Sequence, residues 1–374
     1  MHNRARFYRW SSLQLQHIVD TADAVTDLAA RLARHAAIGL DTEFLRERTY
    51  RAQLCLIQVS ADGDPACVDP IAVADLAALA APLTAAGIVK VMHASRQDLE
   101  VLLPTVGLVR PVFDSQIAAA LAGFAAQAGY GELVRRLLGI DLPKAHTRTD
   151  WSRRPLSPQQ IDYALDDVRH LIPLQLALEE KLDKLGRLPW LAEELAALAD
   201  ASSLATDPED AWRRMKGLRG LDPGRERLAR SLAAWRERRA RERNRPRGWI
   251  LDDAALRELI VRVPRSLAAL EAIAEIPAGV VRHCGEELLA CVAGAQIPDP
   301  APALDMRQRP DPIKSALVKK LAAMNQAVAA ELGITPEVLA PRRDLERLAD
   351  GNEDIPALQG WRRAVIGEKL LGSI

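Results

Sequence analysis

Cysteine is scarce: four residues in 374, none forming a Cys-x-x-Cys pair and each in apolar surroundings. They are expected as buried thiols of a reducing, cytoplasmic compartment rather than as a disulfide framework. No run of about 18 apolar residues occurs, so no segment is expected to span a membrane. The first twelve residues hold Arg4, Arg6 and Arg9 without an apolar core after them, which is not the pattern of a secretory signal. A Gly-x-x-x-x-Gly-Lys-Ser/Thr loop is missing too, which excludes a helicase motor. Net charge is zero, yet 49% hydrophobic and 27% charged residues describe a globular chain without disordered bias, long enough for two or three domains.

What is present begins at Gly39-Leu40-Asp41-Thr42-Glu43-Phe44, where the apolar run from Ala36 ends in two carboxylates. On a strand, Asp41 and Glu43 point the same way. Such neighbours repel unless something positive lies between them, and hard divalent cations with oxygen ligands are the usual answer. Taken alone, the pair also suits the solvent-facing end of a strand. Arg46, Arg48, Tyr50 and Arg51 follow as a basic loop, which suits either a solvated turn or a phosphate-bearing substrate. Leu54–Val59 reads as a second strand in an antiparallel hairpin with the first.

Further strands are predicted at Ala66–Asp69, Ile88–Met92 and Val112–Asp114, with a helix near Val73–Leu83. Ser95 is placed to cap the next helix, with Asp98 in its first turn either as a site residue or as a carboxylate compensating the dipole. Later, Ser157-Pro158-Gln159-Gln160 is a strong helix start. Ile161, Ala164, Leu165, Val168 and Leu171 form the apolar stripe of that helix. Its other face carries Tyr163, Asp166, Asp167 and His170; Tyr163 and Asp167, at i and i+4, are surface neighbours.

Together, Asp41-Thr-Glu43, His93-Ala-Ser-Arg-Gln-Asp98 and Tyr163-Ala-Leu-Asp-Asp167 resemble the three motifs of the DEDD exonuclease superfamily, in its tyrosine branch. Phe44, Arg46, Thr49-Tyr50, Gln53-Leu54, Thr147-Arg-Thr-Asp150-Trp151 and Arg154-Pro155-Leu156 resemble the ribonuclease D family in particular. The resemblance implies an α/β RNase H-like exonuclease domain, a mixed five-stranded sheet flanked by helices. It further implies two divalent cations, Mg²⁺ or Mn²⁺, held by Asp41, Glu43, Asp98 and Asp167, with Tyr163 orienting the attacking water. Phe44, Arg46, Tyr50, Gln53, His93, Trp151 and Arg154 become the expected substrate contacts. Asp166 falls outside the spacing and is expected to pair with His170 or stay solvated. The reaction implied is hydrolysis at an RNA 3′ end with release of 5′-mononucleotides, the family's substrates being transfer RNA precursors and the protein a monomer. A DNA 3′ exonuclease uses the same acids, and a non-catalytic RNA-binding protein is the reading from another class.

Past residue 207 the composition shifts: Asp210–Arg265 holds 17 Lys or Arg against 8 Asp or Glu. The charge concentrates in Arg236–Arg247, between Trp235 and Trp249. Arg236, Arg239, Arg243, Arg245, Arg247 and Trp249 are therefore expected to bind nucleic acid, phosphates to arginine and bases to rings. Leu228–Trp235 recurs as Leu317–Met324, and Gly285–Leu289 as Gly367–Leu371. The first copy resembles the HRDC domain and the second a diverged HRDC-like copy. The expected domains are thus 1–203, 207–296 and 312–374: one α/β exonuclease domain and two small all-α domains.

Overall fold

Six strands form the sheet, one more than the sequence indicates. They are β1 (Ile18–Val19), β2 (Ala37–Leu45), β3 (Gln53–Ala61), β4 (Asp64–Val68), β5 (Val89–Met92) and β6 (Val112–Asp114), in the order β1-β4-β3-β2-β5-β6. The sheet is mixed: β1 runs parallel to β4, β2 to β5 and β5 to β6, while β3 and β4 are antiparallel. The additional strand is β1, whose two residues are too few to show any periodicity in the sequence. The computed structural model describes residues 17–143, 149–198, 207–215, 221–301 and 311–374. Arg4, Arg6, Arg9, Thr147, Arg148 and the expected boundary at 203 lie outside these.

The central strands are apolar on both faces because helices cover both. Ile38, Leu40, Ile57 and Val59 are fully buried. Helices α1 (Ala22–Leu32), α2 (Ala77–Thr84), α3 (Arg96–Val106), α4 (Ser115–Leu121), α5 (Tyr130–Leu138), α6 (Pro158–Arg169), α7 (Leu171–Lys184) and α8 (Leu188–Leu198) complete this part. α6 begins with the expected capping box, the Ser157 hydroxyl accepting from Gln160 N and the Gln160 side chain accepting from Ser157 N. It ends at His170, three residues ahead of Pro173, and α7 starts afresh. Among the described residues no helix is long and apolar enough to cross a membrane. Cys55, Cys67 and Cys284 are buried free thiols, and Cys291 is half-buried.

By contacts the chain divides into two compact units. The first joins Met1–Leu45 and Leu54–Leu204 with Pro310–Ile374; the second joins Arg46–Gln53 with Ala205–Arg309. The C-terminal segment is helical as expected, but it is not a body of its own. Its helices, from Pro312–Leu332 onward, contribute Leu321, Val328, Leu345 and Ile366 to the same apolar core as Leu121, Leu174 and Leu191. Trp190 and Trp361 stack with ring centroids 4.3 Å apart, and Glu194 accepts from the Trp361 indole N–H at 2.8 Å. Arg187 caps two helix ends at once, donating to the carbonyls of Leu121 and Leu332.

The second unit is built on α9 (Pro223–Arg243), followed by α10 (Arg247–Ile250), α11 (Asp253–Arg262), α12 (Leu267–Glu271) and α13 (Ala278–Gly294). Leu228, Leu232, Leu256, Leu259, Leu270 and Leu288 form its core and are fully buried.

Candidate active site

β2 carries Asp41 and Glu43 on one face. α3 supplies Asp98 from its first turn, and α6 supplies Tyr163 and Asp167 from adjacent turns. Gly39 lets α6 come this close to β2. A Cβ at position 39 would lie 2.9 Å from the Val168 carbonyl oxygen and closer still to the Ser60 hydroxyl. That hydroxyl donates to the same carbonyl at 2.7 Å, pinning the end of α6 to the sheet one residue beyond Asp167.

All four acids are raised above the usual carboxylate range, by burial first and by neighbouring negative charge second. Burial first, then the charges of Asp98, Asp167 and Glu43, hold the Asp41 carboxyl well above the usual carboxylate range. Glu43 is pushed up to about 8 by burial and by Asp167 and Asp98. Burial raises Asp167 to about 7 although the Tyr163 phenol donates to it, and Asp98 to about 6 although the Thr42 hydroxyl donates to it. Among the described residues no Lys or Arg forms an ion pair with any of the four. Tyr163 itself is raised above its ordinary value by burial and by Asp167 and Glu43, so at neutral pH it remains a phenol that donates rather than a base.

This donor set fits divalent cations: four carboxylates, oxygen throughout, and negative charge that the protein leaves uncompensated. Among the described residues, no three Asp, Glu, His or Cys groups are already gathered around one ion position. Asp98 and Asp167 instead have their oxygens engaged by Thr42 and Tyr163.

Asp114 went unnoticed in the sequence, although it sets the position of the turn from which Asp98 springs. One of its oxygens accepts from Ala94 N, Gln116 N and Ile117 N, the other from the N–H and hydroxyl of Ser95, both at 2.8 Å. Ala94 has φ 53°, a conformation that costs energy for a residue with a Cβ and is held here by that carboxylate. Ser95 is therefore not the side-chain cap expected of it, because its hydroxyl is spent on Asp114. The visible signal was Asp114-Ser115-Gln116, an Asp capping the N-terminus of α4.

Several of the expected substrate contacts have partners within the protein. Arg154 forms a bidentate pair with Asp69 and donates to the carbonyls of Cys55 and Trp151. The Trp151 side chain is mostly buried, its ring 6.1 Å from that of Tyr163, which it backs. His93 Nδ1 meets the Ser115 hydroxyl at 2.9 Å, and the ring also bonds to the backbone at Ala128, so its nitrogens are occupied. Tyr50 belongs to the second unit, where its hydroxyl contacts Glu237 and accepts from Arg241 at 2.9 Å. Arg46 and Gln53 are exposed in that same segment, and Phe44, next to Glu43, is half-buried. Asp166 pairs with Arg169 rather than with His170.

Several of the second unit's arginines are turned inward in the same way. Arg236 is buried, donating to the Leu251 carbonyl at 2.9 Å and pairing with Asp253 at 2.7 Å. Arg247 pairs with the buried Glu237, and Arg239 lies near Glu242 and Glu287. Trp235 is a core residue whose indole donates to Glu287. Arg243, Arg245 and Trp249 remain exposed, with the Arg245 guanidinium 5.8 Å from the Trp249 ring centroid.

Residues 16–183 match the family described as 3′-5′ exonuclease, and residues 225–292 match the HRDC domain. Ribonuclease D of Gluconacetobacter diazotrophicus is 40% identical over 365 residues, covering 95% of this chain and 91% of its own. The chain belongs to the ribonuclease D family. Ribonuclease D of Acidiphilium cryptum is also 40% identical, covering 95% of this chain and 92% of its own. The crystal structure of Escherichia coli RNase D, an exoribonuclease involved in structured RNA processing, superposes with a TM-score of 0.82 at 31% identity, covering 95% of this chain and 97% of that one. The family is one of divalent-metal-dependent 3′-5′ exoribonucleases, and this chain is a hydrolase of that class acting on RNA. The HRDC match ends at residue 292, so the C-terminal helices are not matched as a second copy.

Proposed function

We propose that this ribonuclease D-family enzyme trims precursors of transfer RNA from their 3′ ends, releasing 5′-mononucleotides, and acts as a monomer in the cytoplasm. The observation that carries the reading is the set of four carboxylates at one place in the fold, each raised above its ordinary range chiefly by burial, with a protonated Tyr163 beside them. Asp41, Glu43, Asp98 and Asp167 would hold two divalent cations, Mg²⁺ or Mn²⁺. Bound there, such ions supply Lewis acidity at the attacking and leaving oxygens of an in-line displacement. Tyr163, its phenol held protonated, orients the attacking water with its hydroxyl. Phe44 contacts the terminal nucleotide, and the exposed Arg243, Arg245 and Trp249 contact RNA from the HRDC domain by phosphate pairing and base stacking.

The test is incubation of the full chain with a 3′-extended RNA and a DNA of matched sequence, each with Mg²⁺, Mn²⁺ or EDTA. Stepwise loss of mononucleotides from the RNA, dependent on metal and far slower on the DNA, is the expected result. Equal rates on the two polymers would move the assignment to a general 3′ exonuclease, and cleavage in EDTA would remove the metals from it.

A further inference from the structure

A cleft of about 740 Å³ leads to Asp167 between α5 and α6. Its lining is chemically lopsided. Among the described residues it presents five carboxylates, Glu132, Asp141, Asp162, Asp166 and Asp167, and a single cation, Arg135. RNA carries one negative phosphate per nucleotide, so such a lining repels it wherever no cation intervenes. Cations held by the four catalytic acids would face the scissile phosphate and leave the next phosphate without a partner. An enzyme working from the 3′ end finds a hydroxyl, not another phosphate, on the 3′ side of the scissile bond. Any second phosphate in the cleft therefore lies on the 5′ side.

Arg135 is available for it. Its side chain is exposed and makes no ion pair or hydrogen bond among the described residues. The adjacent Arg136 is not available: it pairs with Glu132 at 3.2 Å and lies 4.6 Å from the Phe124 ring centroid. Asp166 is likewise matched by Arg169. With those two acids paired elsewhere, nothing competes through them for Arg135. A guanidinium also presents a planar fork that suits two phosphate oxygens at once.

We propose that Arg135 binds the phosphate one linkage 5′ of the scissile bond, and so sets the shortest RNA that the enzyme takes efficiently. The inference rests on the exonuclease reading above and adds a subsite to it. It is tested with the full-length enzyme and Mg²⁺ on a ribodinucleotide, which has only the scissile phosphate, and on a ribotetranucleotide. Arg135→Gln should raise KM for the tetranucleotide about tenfold, as for loss of one charged hydrogen-bonding partner. It should leave kcat nearly unchanged and lower the salt dependence by about 0.7 in log-log slope. The dinucleotide should be hydrolysed as by wild type, Arg135→Lys should recover part of the loss, and Arg136→Gln should behave as wild type on both. Equal loss on both substrates, or no loss on either, overturns the subsite. Failure of the wild-type enzyme to hydrolyse the tetranucleotide as well as the dinucleotide with metal overturns the exonuclease reading itself, and the subsite with it.

Discussion

The exonuclease unit gathers four carboxylates that, among the described residues, form no ion pair with a cation, whereas the helical unit gathers arginines and gives Arg236, Arg239 and Arg247 carboxylate partners. By composition the second unit looks the more strongly charged. By structure the first is the one left out of balance. A charge count does not separate a solvated or internally paired group from an unmatched one, and only the unmatched group requires a ligand. Glu237 makes the point within one helix. It is 1% exposed, and it holds Arg247, Arg241 and the Tyr50 hydroxyl around itself.

If the imbalance is functional, removing one acid from the first unit abolishes activity without harming the fold. Asp41→Asn and Asp167→Asn should each eliminate nearly all RNA hydrolysis in single-turnover assays. Their metal-free forms should melt no lower than wild type, since the amide relieves repulsion. Next in size, Tyr163→Phe should slow the chemical step by roughly 10²–10⁴, the range for a lost proton-handling or water-orienting group, with RNA affinity retained. Unchanged single-turnover rates would take Tyr163 out of the reaction.

In the second unit the same kind of substitution should act on stability instead. Glu237→Ala leaves the half-exposed Arg247 and Arg241 and the Tyr50 hydroxyl without their shared acceptor, and denaturant unfolding should show a loss of about 1–3 kcal/mol. An Ala variant as stable as wild type would mean that the cluster is not balanced as described. The smallest effects separate the two kinds of arginine. Arg245→Ala should reduce the slope of log RNA affinity against log salt by about 0.7, one phosphate contact, while Arg236→Ala should leave that slope alone and weaken the fold. Equal slopes in both variants would erase the distinction between outward and inward arginines.

Much of the site was legible because it depends on local periodicity. Two residues along a strand aligned Asp41 with Glu43, and four along a helix aligned Tyr163 with Asp167. The capping box at Ser157 was equally local. What stayed hidden depends on partners far off in sequence. Arg236 looked like a surface cation until Asp253 and the Leu251 carbonyl were brought to it, and Arg154 until Asp69 was. Asp114 gives no periodic signal, because its role is to accept from a turn some twenty residues earlier. The repeat read in the C-terminal helices did identify them as helical. It gave no hint that Leu321 and Val328 would share a core with the exonuclease domain, since apolar stripes do not specify what they pack against.

The most direct measurement of the central claim is thermal unfolding with EDTA and with excess Mn²⁺, at pH 5 and at pH 8. Carboxyls whose folded pKa is raised favour the folded state while protonated. That stability is fully present below the unfolded carboxylate range near 4 and is lost as pH rises through the folded values, about 6 for Asp98, 7 for Asp167 and 8 for Glu43. The metal-free protein should therefore melt lower at pH 8 than these four acids allow at pH 5. Mn²⁺ should raise the midpoint far more at pH 8, and the difference should shrink in Asp41→Asn and Asp167→Asn. An Mn²⁺ shift of equal size at both pH values, or one that survives unchanged in the two variants, would contradict the account.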